Sequence, residues 1–296
     1  MRDRGGGRLG WVGTGRRPTS VPGADAKFYL MKIQGKTVLL TGATGGLGRS
    51  MALRLADAGA TLIVSGRKKE ALAALVEELP GEGHSTAVCD LGQPDAATTL
   101  AASLGPVDCL IANAALPATG RLTELSGEQV ARMLRVNLES PILLTQALLP
   151  GMLARERGRV VLIGSLAGKT GSPRSSVYNA TKFGLRGFAF GLGGDLVGTG
   201  VGVSVVAPGF VSEAGMFANS GARAPAMLGT ATPTEVADAV IKAIVGSRIE
   251  ITVAPARGRA IAHIALASPS LSHRLQSGSA GQKTADIVAE GQLDKR

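Results

Sequence analysis

Short runs of aliphatic and β-branched residues alternate with helix-length stretches through most of this chain, and that alternation constrains its fold more than any other feature. The apolar runs fall at 37–41, 61–65, 86–89, 107–112, 159–164, 201–207 and 249–253. Helical stretches lie between them at 46–58, 68–79, 94–104, 126–153, 176–197 and 233–246. Strand, helix and strand repeated in this way dictate parallel pairing with right-handed crossovers. Most of the runs are apolar throughout, as a strand must be when helices cover both faces of its sheet. The predicted class is α/β, a doubly wound (Rossmann) parallel sheet of about seven strands with helices on both faces. With 42 glycines and only 3% aromatic residues, the helices can pack close to the sheet.

The first strand runs into Thr41-Gly42-Ala43-Thr44-Gly45-Gly46-Leu47-Gly48, which opens the first helix. Backbone N–H groups and the positive end of a helix dipole bind phosphate there, and glycine lets the phosphate approach the backbone closely. A glycine cluster alone is often only a tight turn; its place between strand and helix makes dinucleotide binding the expectation. The second strand ends Val64-Ser65-Gly66-Arg67. An acidic residue there would hold a ribose 2′-hydroxyl, whereas the planar fork of Arg67 suits a 2′-phosphate. NADP(H) is favoured on that ground, and NAD(H) stays open. The competing reading of Arg67 is a solvated surface residue.

A second constellation lies further on. Tyr178 and Lys182 are four positions apart on a predicted helix and share one face. Ser165 stands thirteen residues before Tyr178, at the end of a strand. All three therefore reach the carboxyl edge of the sheet, where doubly wound folds bind ligands. Carbonyl reduction needs a hydride and a proton. A tyrosine with a reference pKa of about 10 serves only if nearby positive charge lowers it. The expectation is that Lys182 does so, with Tyr178 as the general acid or base and Ser165 bonding the substrate oxygen.

These motifs together resemble the short-chain dehydrogenase/reductase family. The spacing T-G-x-x-x-G-x-G, Asp90 and Leu91 after the third strand, Ala112-Asn113-Ala114-Ala115 after the fourth, Asn137 in the long helix, Ser165, Tyr178-x-x-x-Lys182 and Pro208-Gly209 occur in the family's order between about Lys32 and Val253. The resemblance implies an NAD(P)-dependent oxidoreductase that interconverts a carbonyl and a secondary alcohol. It places Gly42, Thr44, Gly45, Gly46, Leu47, Gly48, Arg67, Asp90, Leu91, Asn113, Tyr178, Lys182, Pro208, Gly209 and Val211 at the cofactor. Asp90 would contact the adenine, and Lys182 the nicotinamide ribose. Asn137 would anchor a water that relays protons to Lys182. It also implies a homodimer or homotetramer through the helices carrying Asn137 and Tyr178. The alternative is a non-catalytic dinucleotide-binding regulatory protein on the same fold; such degenerate members usually lose the tyrosine or lysine, which this chain keeps.

The chain departs from the family pattern at two places. Ala115 replaces a glycine. Glu213 stands where a threonine commonly donates to the nicotinamide carboxamide, which an ionised carboxylate cannot do. Ser212 or the Val211 backbone would carry that contact. The long loop from Pro208 to about Thr232, with Met216, Phe217 and Met227, reads as a lid. Together with Leu116, Pro117 and Leu166 it suggests an apolar pocket for a hydrophobic ketone, with Lys169 as the one cation that would meet an anionic group if it faced inward.

The formal charge of +10 does not indicate nucleic acid. The first 31 residues carry +4 of it, from Arg2, Arg4, Arg8, Arg16, Arg17 and Lys27 against Asp3 and Asp25, and the rest is dispersed. Cys89 and Cys109 read as free thiols of a cytoplasmic protein, and His84, His263 and His273 lack metal-ligand spacing. No run is long enough for a transmembrane segment. Residues 1–31 are expected to form a disordered Gly/Arg-rich extension, with Met31 a candidate natural start. Residues 32–275 form the single catalytic domain, and the polar residues 276–296 a flexible tail.

Overall fold

The computed structural model describes residues 31–292, apart from 118, 221–223 and 225–227. The N-terminal extension 1–30 and Met227 of the long loop lie outside the described residues. Seven parallel strands form one sheet: β1 (Thr37–Thr41), β2 (Thr61–Gly66), β3 (Ser85–Val88), β4 (Cys109–Ala112), β5 (Gly158–Ile163), β6 (Val201–Pro208) and β7 (Glu250–Val253). Their order is β3-β2-β1-β4-β5-β6-β7. Chain progress therefore reverses between β1 and β4, and the crevice at that reversal is where a doubly wound sheet receives its ligand.

Period-two alternation divides the strand side chains between two cores. Val38 and Leu40 of β1, Cys109 and Ile111 of β4, and Val161 and Ile163 of β5 join one. Leu39, Leu110, Ala112, Val160 and Leu162 join the other. Helices α1 (Gly46–Asp57), α2 (Lys69–Glu78) and α7 (Pro233–Val245) cover the first face through Met51, Leu55, Leu72, Val236 and Val240. Helices α3 (Ala96–Ala102), α5 (Ser140–Ala154) and α6 (Ser176–Asp195) cover the second through Leu100, Leu144, Met152 and Leu185. Both faces are thus dry, which is why the strands carry so few polar residues.

The single helix expected over 126–153 runs unbroken from Gly127 to Ala154, with a π-helical turn inside it. Helix α4 (Gly127–Leu134) begins on a capping box between Ser126 and Gln129, and a π-helical turn at Arg135–Glu139 joins it to α5. Of the flexible tail expected over 276–296, residues 293–296 lie outside the described residues, and part of the rest is helical. After α8 (Ala256–Ala267) and α9 (Pro269–Gln276), residues Ser279–Glu290 form a helix, α10, and both Ala289 and Gln292 are buried. No helix among the described residues is long and apolar enough to cross a membrane.

Candidate active site

The turn after β1 is built so that no side chain occupies the helix N-terminus. Gly42 has φ +63°, and a Cβ on it would lie 2.8 Å from the Ala114 Cα. A Cβ on Gly48 would come within 2.1 Å of the Gly42 carbonyl oxygen, so only glycine lets α1 begin this close to the strand. Gly45 caps α1 without a side-chain hydrogen bond, and the first turn holds no acidic residue. The amides of Gly46, Leu47 and Gly48 thus present the unsatisfied donors and positive dipole that a pyrophosphate needs. Thr44, Gly45 and Gly46 are exposed at this mouth, whereas Leu47 packs partly against the core.

The turn is held from the neighbouring strand. The Asn113 side chain donates to the carbonyls of Thr41 and Gly42, both at 3.0 Å. In return the buried Thr41 hydroxyl accepts from the amides of Asn113 and Ala114, both at 3.1 Å. Sequence reasoning placed Asn113 at the cofactor and gave Thr41 no role. The structure makes Asn113 the brace of the glycine turn and Thr41 its partner, which a threonine directly before Gly42 could have signalled.

Arg67 is exposed just beyond β2, one strand from the glycine turn. Asp90 follows β3 and accepts from the Gly92 amide at 2.9 Å and from Arg132 of α4 at 3.1 Å. Burial alone would raise the Asp90 carboxyl, but the Gly92 amide and Arg132, with Arg67 beyond, hold it below its ordinary value. Leu91 is buried, and its carbonyl receives the Ser140 hydroxyl at 3.0 Å. Arg132 is a neighbour the sequence did not identify; an arginine on α4 carries no local mark that it returns to the end of β3. A half-buried carboxylate at one edge, an exposed arginine and an uncapped glycine turn fit a dinucleotide bearing a 2′-phosphate.

At the end of β5, Ser165 adopts an extended backbone, and its hydroxyl receives the Ala167 amide at 3.1 Å. Its side chain also hydrogen-bonds the Tyr178 side chain. Lys182 lies one helical turn along α6, 3% exposed, with Nζ 2.9 Å from the Ile163 carbonyl and 5.5 Å from the Tyr178 ring centre. The structure thus gathers Ser165, Tyr178 and Lys182 as expected, with one correction. Burial pushes Tyr178 up to about 12 against the lowering effect of the Ser165 hydrogen bond, and burial pulls Lys182 down to about 8. The expectation that Lys182 lowers Tyr178 fails here because desolvation disfavours both charged forms more than their proximity stabilises them.

Asn137, in the π-helical turn, is 1% exposed, and its side chain is fully engaged by one residue. It accepts from the Leu116 amide at 2.7 Å and donates to the Leu116 carbonyl at 2.9 Å. Its side-chain amide thus pins the loop after β4, which sequence reasoning did not anticipate.

Pro208 ends β6, and a Cβ on Gly209 would sit 3.2 Å from Leu166. Val211 is buried and pairs with Ala231, the bonds being made by the amides of Ser212 and Ala231. The Ser212 hydroxyl donates to the Ala231 carbonyl at 3.2 Å. Glu213 is exposed at φ +66°. A cleft of about 550 Å³ opens beside it, lined by Ser212, Phe217, Ala218 and Thr230 among others. Lys169 does not face a pocket. It lies 2.8 Å from the Glu250 carboxylate and donates to the Thr252 hydroxyl at 2.6 Å. Arg186 holds the other oxygen of Glu250 at 2.9 Å.

A family model described as short chain dehydrogenase matches residues 36–224, and the chain belongs to that family. It is accordingly an NAD(P)-dependent oxidoreductase acting on CH–OH groups. Over 227 residues it is 39% identical to the ketoacyl reductase HetN of Nostoc sp., covering 75% of this chain and 79% of that one. It superposes with a TM-score of 0.68 on an actinorhodin polyketide ketoreductase variant solved with NADPH, at 29% identity, covering 76% of this chain and 97% of the other. A 3-oxoacyl (acyl-carrier-protein) reductase from Agrobacterium tumefaciens with NADP bound gives a TM-score of 0.68 at 28% identity, covering 75% and 93%.

Proposed function

We propose that this chain uses NADPH to reduce the ketone of a hydrophobic substrate of the ketoacyl class. The observation that carries the reading is the gathering of Ser165, Tyr178 and the buried Lys182, its Nζ 5.5 Å from the Tyr178 ring centre, at the sheet edge that bears the glycine turn. Bound NADPH supplies the hydride. Around it the amides of Gly46, Leu47 and Gly48 hold the pyrophosphate, Arg67 the 2′-phosphate, Asp90 the adenine end, and the Val211 amide the carboxamide. Pro208 and Gly209 bring the loop after β6 up to that end of the cofactor. Lys182 holds the nicotinamide ribose. Tyr178 gives its proton to the ketone oxygen while Ser165 donates a hydrogen bond to the same atom.

The retinue of relatives named as ketoacyl reductases supports the substrate class, as does the apolar character of Leu116, Leu166 and Phe217 near the site. NADPH is favoured over NADH by Arg67 and by the NADP(H) found with the solved relatives. The test is turnover of a short 3-ketoacyl thioester followed by nicotinamide absorbance. Tyr178→Phe should retain NADPH affinity and lose at least about a thousandfold in rate, since general acid catalysis and charge stabilisation both act through that hydroxyl. Rates within tenfold of wild type would remove Tyr178 from the role, and tight cofactor binding without turnover of any ketone would favour a regulatory protein.

A further inference from the structure

The C-terminal helix is not needed to build the sheet or the cofactor crevice, yet its end is buried among the loops above Ser165. Gln292 is 3% exposed. Its side-chain carbonyl accepts from the Thr119 hydroxyl at 2.9 Å, and its side-chain nitrogen donates to the Met216 carbonyl at 2.9 Å. Thr119 belongs to the loop after β4 and Met216 to the loop after β6. In the sheet order those strands flank β5, which Ser165 follows by two residues, so one amide joins the loops that leave the strands on either side of it. The fit is close: a Cβ on Gly291 would lie 2.2 Å from the Ser220 carbonyl oxygen. Further along, Arg174, four residues before Tyr178, forms an ion pair with Asp286 of α10, and its carbonyl receives the Gly120 amide at 2.7 Å.

We infer that Gln292 is a positioning residue that clamps the loop after β6 to the loop after β4 and so fixes the walls of the substrate pocket. The inference rests on the ketone-reducing function proposed above for that pocket. A buried primary amide is tolerable only with its partners in place, so the clamp is made or broken as a unit. The other wall of the β4 loop is already fixed, because Asn137 grips Leu116 on both sides. Among the described residues the sheet grips the β6 loop at its root, where Gly209 donates to the Val253 carbonyl at 2.9 Å, and the Val211–Ala231 bridge lies within the loop; the stretch around Met216 takes a grip from elsewhere. Gln292 supplies it from the far end of the chain.

Full-length Gln292→Ala, Thr119→Val and the double variant test this by two readouts. Hydrogen exchange of the amides at 216–220 should quicken about tenfold or more in each single variant, while the strand amides stay unchanged and NADPH affinity moves less than about twofold. The KM for the ketone should rise about tenfold with kcat held within about threefold, because the residue orders the pocket without touching the reacting atoms. The double variant should be no worse than either single one, since both break the same link. Unchanged exchange at 216–220, additive effects, or quickened exchange with an unaltered KM would each overturn the assignment. A wild type that reduces no ketone would defeat the functional reading, and the exchange measurement would still decide the clamp.

Discussion

Lys182→Met separates the cost of burying the lysine from its use. The ammonium is enclosed, donates to the Ile163 carbonyl, and has a pKa of about 8 against an ordinary 10.5. The folded value lies below the unfolded one, so between the two the unfolded chain binds more protons and stability rises with pH. Below about 8 the folded protein carries the full cost of a buried charge. At ~1.4 kcal/mol per pH unit, that cost is about 3 kcal/mol, and about 2 kcal/mol of it is relieved between pH 7 and pH 10. Methionine keeps the volume, removes the charge and leaves the Ile163 carbonyl unpaired, a pH-independent loss of ~1–3 kcal/mol. Thermal unfolding of both proteins from pH 7 to pH 10 should therefore show the wild type gaining on the variant by about 5 °C, at ~2–4 °C per kcal/mol for a domain of this size. The other titrating groups, Tyr178 included, are common to both chains and cancel. A difference in midpoint that does not change with pH would refute the claim that Lys182 is held as a costly buried cation. Loss of turnover in the same variant would leave that claim untouched, which is why stability and not rate is the readout.

Three further outcomes are expected. Arg67→Glu, at an exposed position, should leave the unfolding midpoint in place, weaken NADPH at least about tenfold and spare NADH, measured by nicotinamide fluorescence. Glu250→Gln strips the counter-charge from Lys169, whose side chain is 1% exposed, and from Arg186, and should cost about 3 kcal/mol or more in denaturant unfolding at pH 7. Burial would raise Glu250, but Arg186 and Lys169 hold it below its ordinary value, so in the wild type that stability is present above the unfolded carboxylate range and lost as the pH falls through the lower folded one. Reduction of the ketone should run level across neutral pH and decline as the pH passes about 8, where Lys182 loses its proton while Tyr178, at about 12, keeps its own. A rate that climbs through that interval would contradict the assignment of Tyr178 as the acid.

The inner strands were legible because most are apolar runs between polar or glycine-rich turns, as a sheet covered on both faces requires; the edge strand β3, Ser85–Val88, is largely exposed and carries polar residues. The glycine turn was legible because Gly42 and Gly48 stand where any Cβ would strike backbone. The π-helical turn in the long helix was not: it carries Asn137, whose side chain meets Leu116, a contact between residues 21 apart whose partner is backbone and so leaves no trace in residue type. The inward turn of Lys169 toward Glu250 was hidden for a related reason: the two are 81 positions apart, and an isolated lysine in a loop reads as solvated. Helix α10 was missed because it is polar in composition. Its attachment comes from Asp286, the close contact at Gly291 and the one amide of Gln292, not from an apolar stripe.

Two buried lysines lie close in this fold, and their partners divide structure from chemistry. Lys169 meets a carboxylate and a hydroxyl, and the carboxylate it meets is shared with Arg186 on the same helix as Lys182. That cluster is tied together by its own contacts: two cations share the two oxygens of one carboxylate, and Lys169 also donates to the Thr252 hydroxyl. Lys182 is as deeply buried but meets a carbonyl oxygen and the Tyr178 ring, with no carboxylate partner among the described residues. A lysine placed that way lowers stability, and folding alone gives no reason to keep it rather than a methionine. The same burial keeps the proton on Tyr178 up to about 12, so at neutral pH the pair stands as an acid beside a cation. Forming the phenolate from that state at pH 7 would cost about 7 kcal/mol, whereas giving up a proton to an oxygen that is gaining negative charge needs no prior ionisation. The free site thus holds Tyr178 in its protonated form, the form that carbonyl reduction uses.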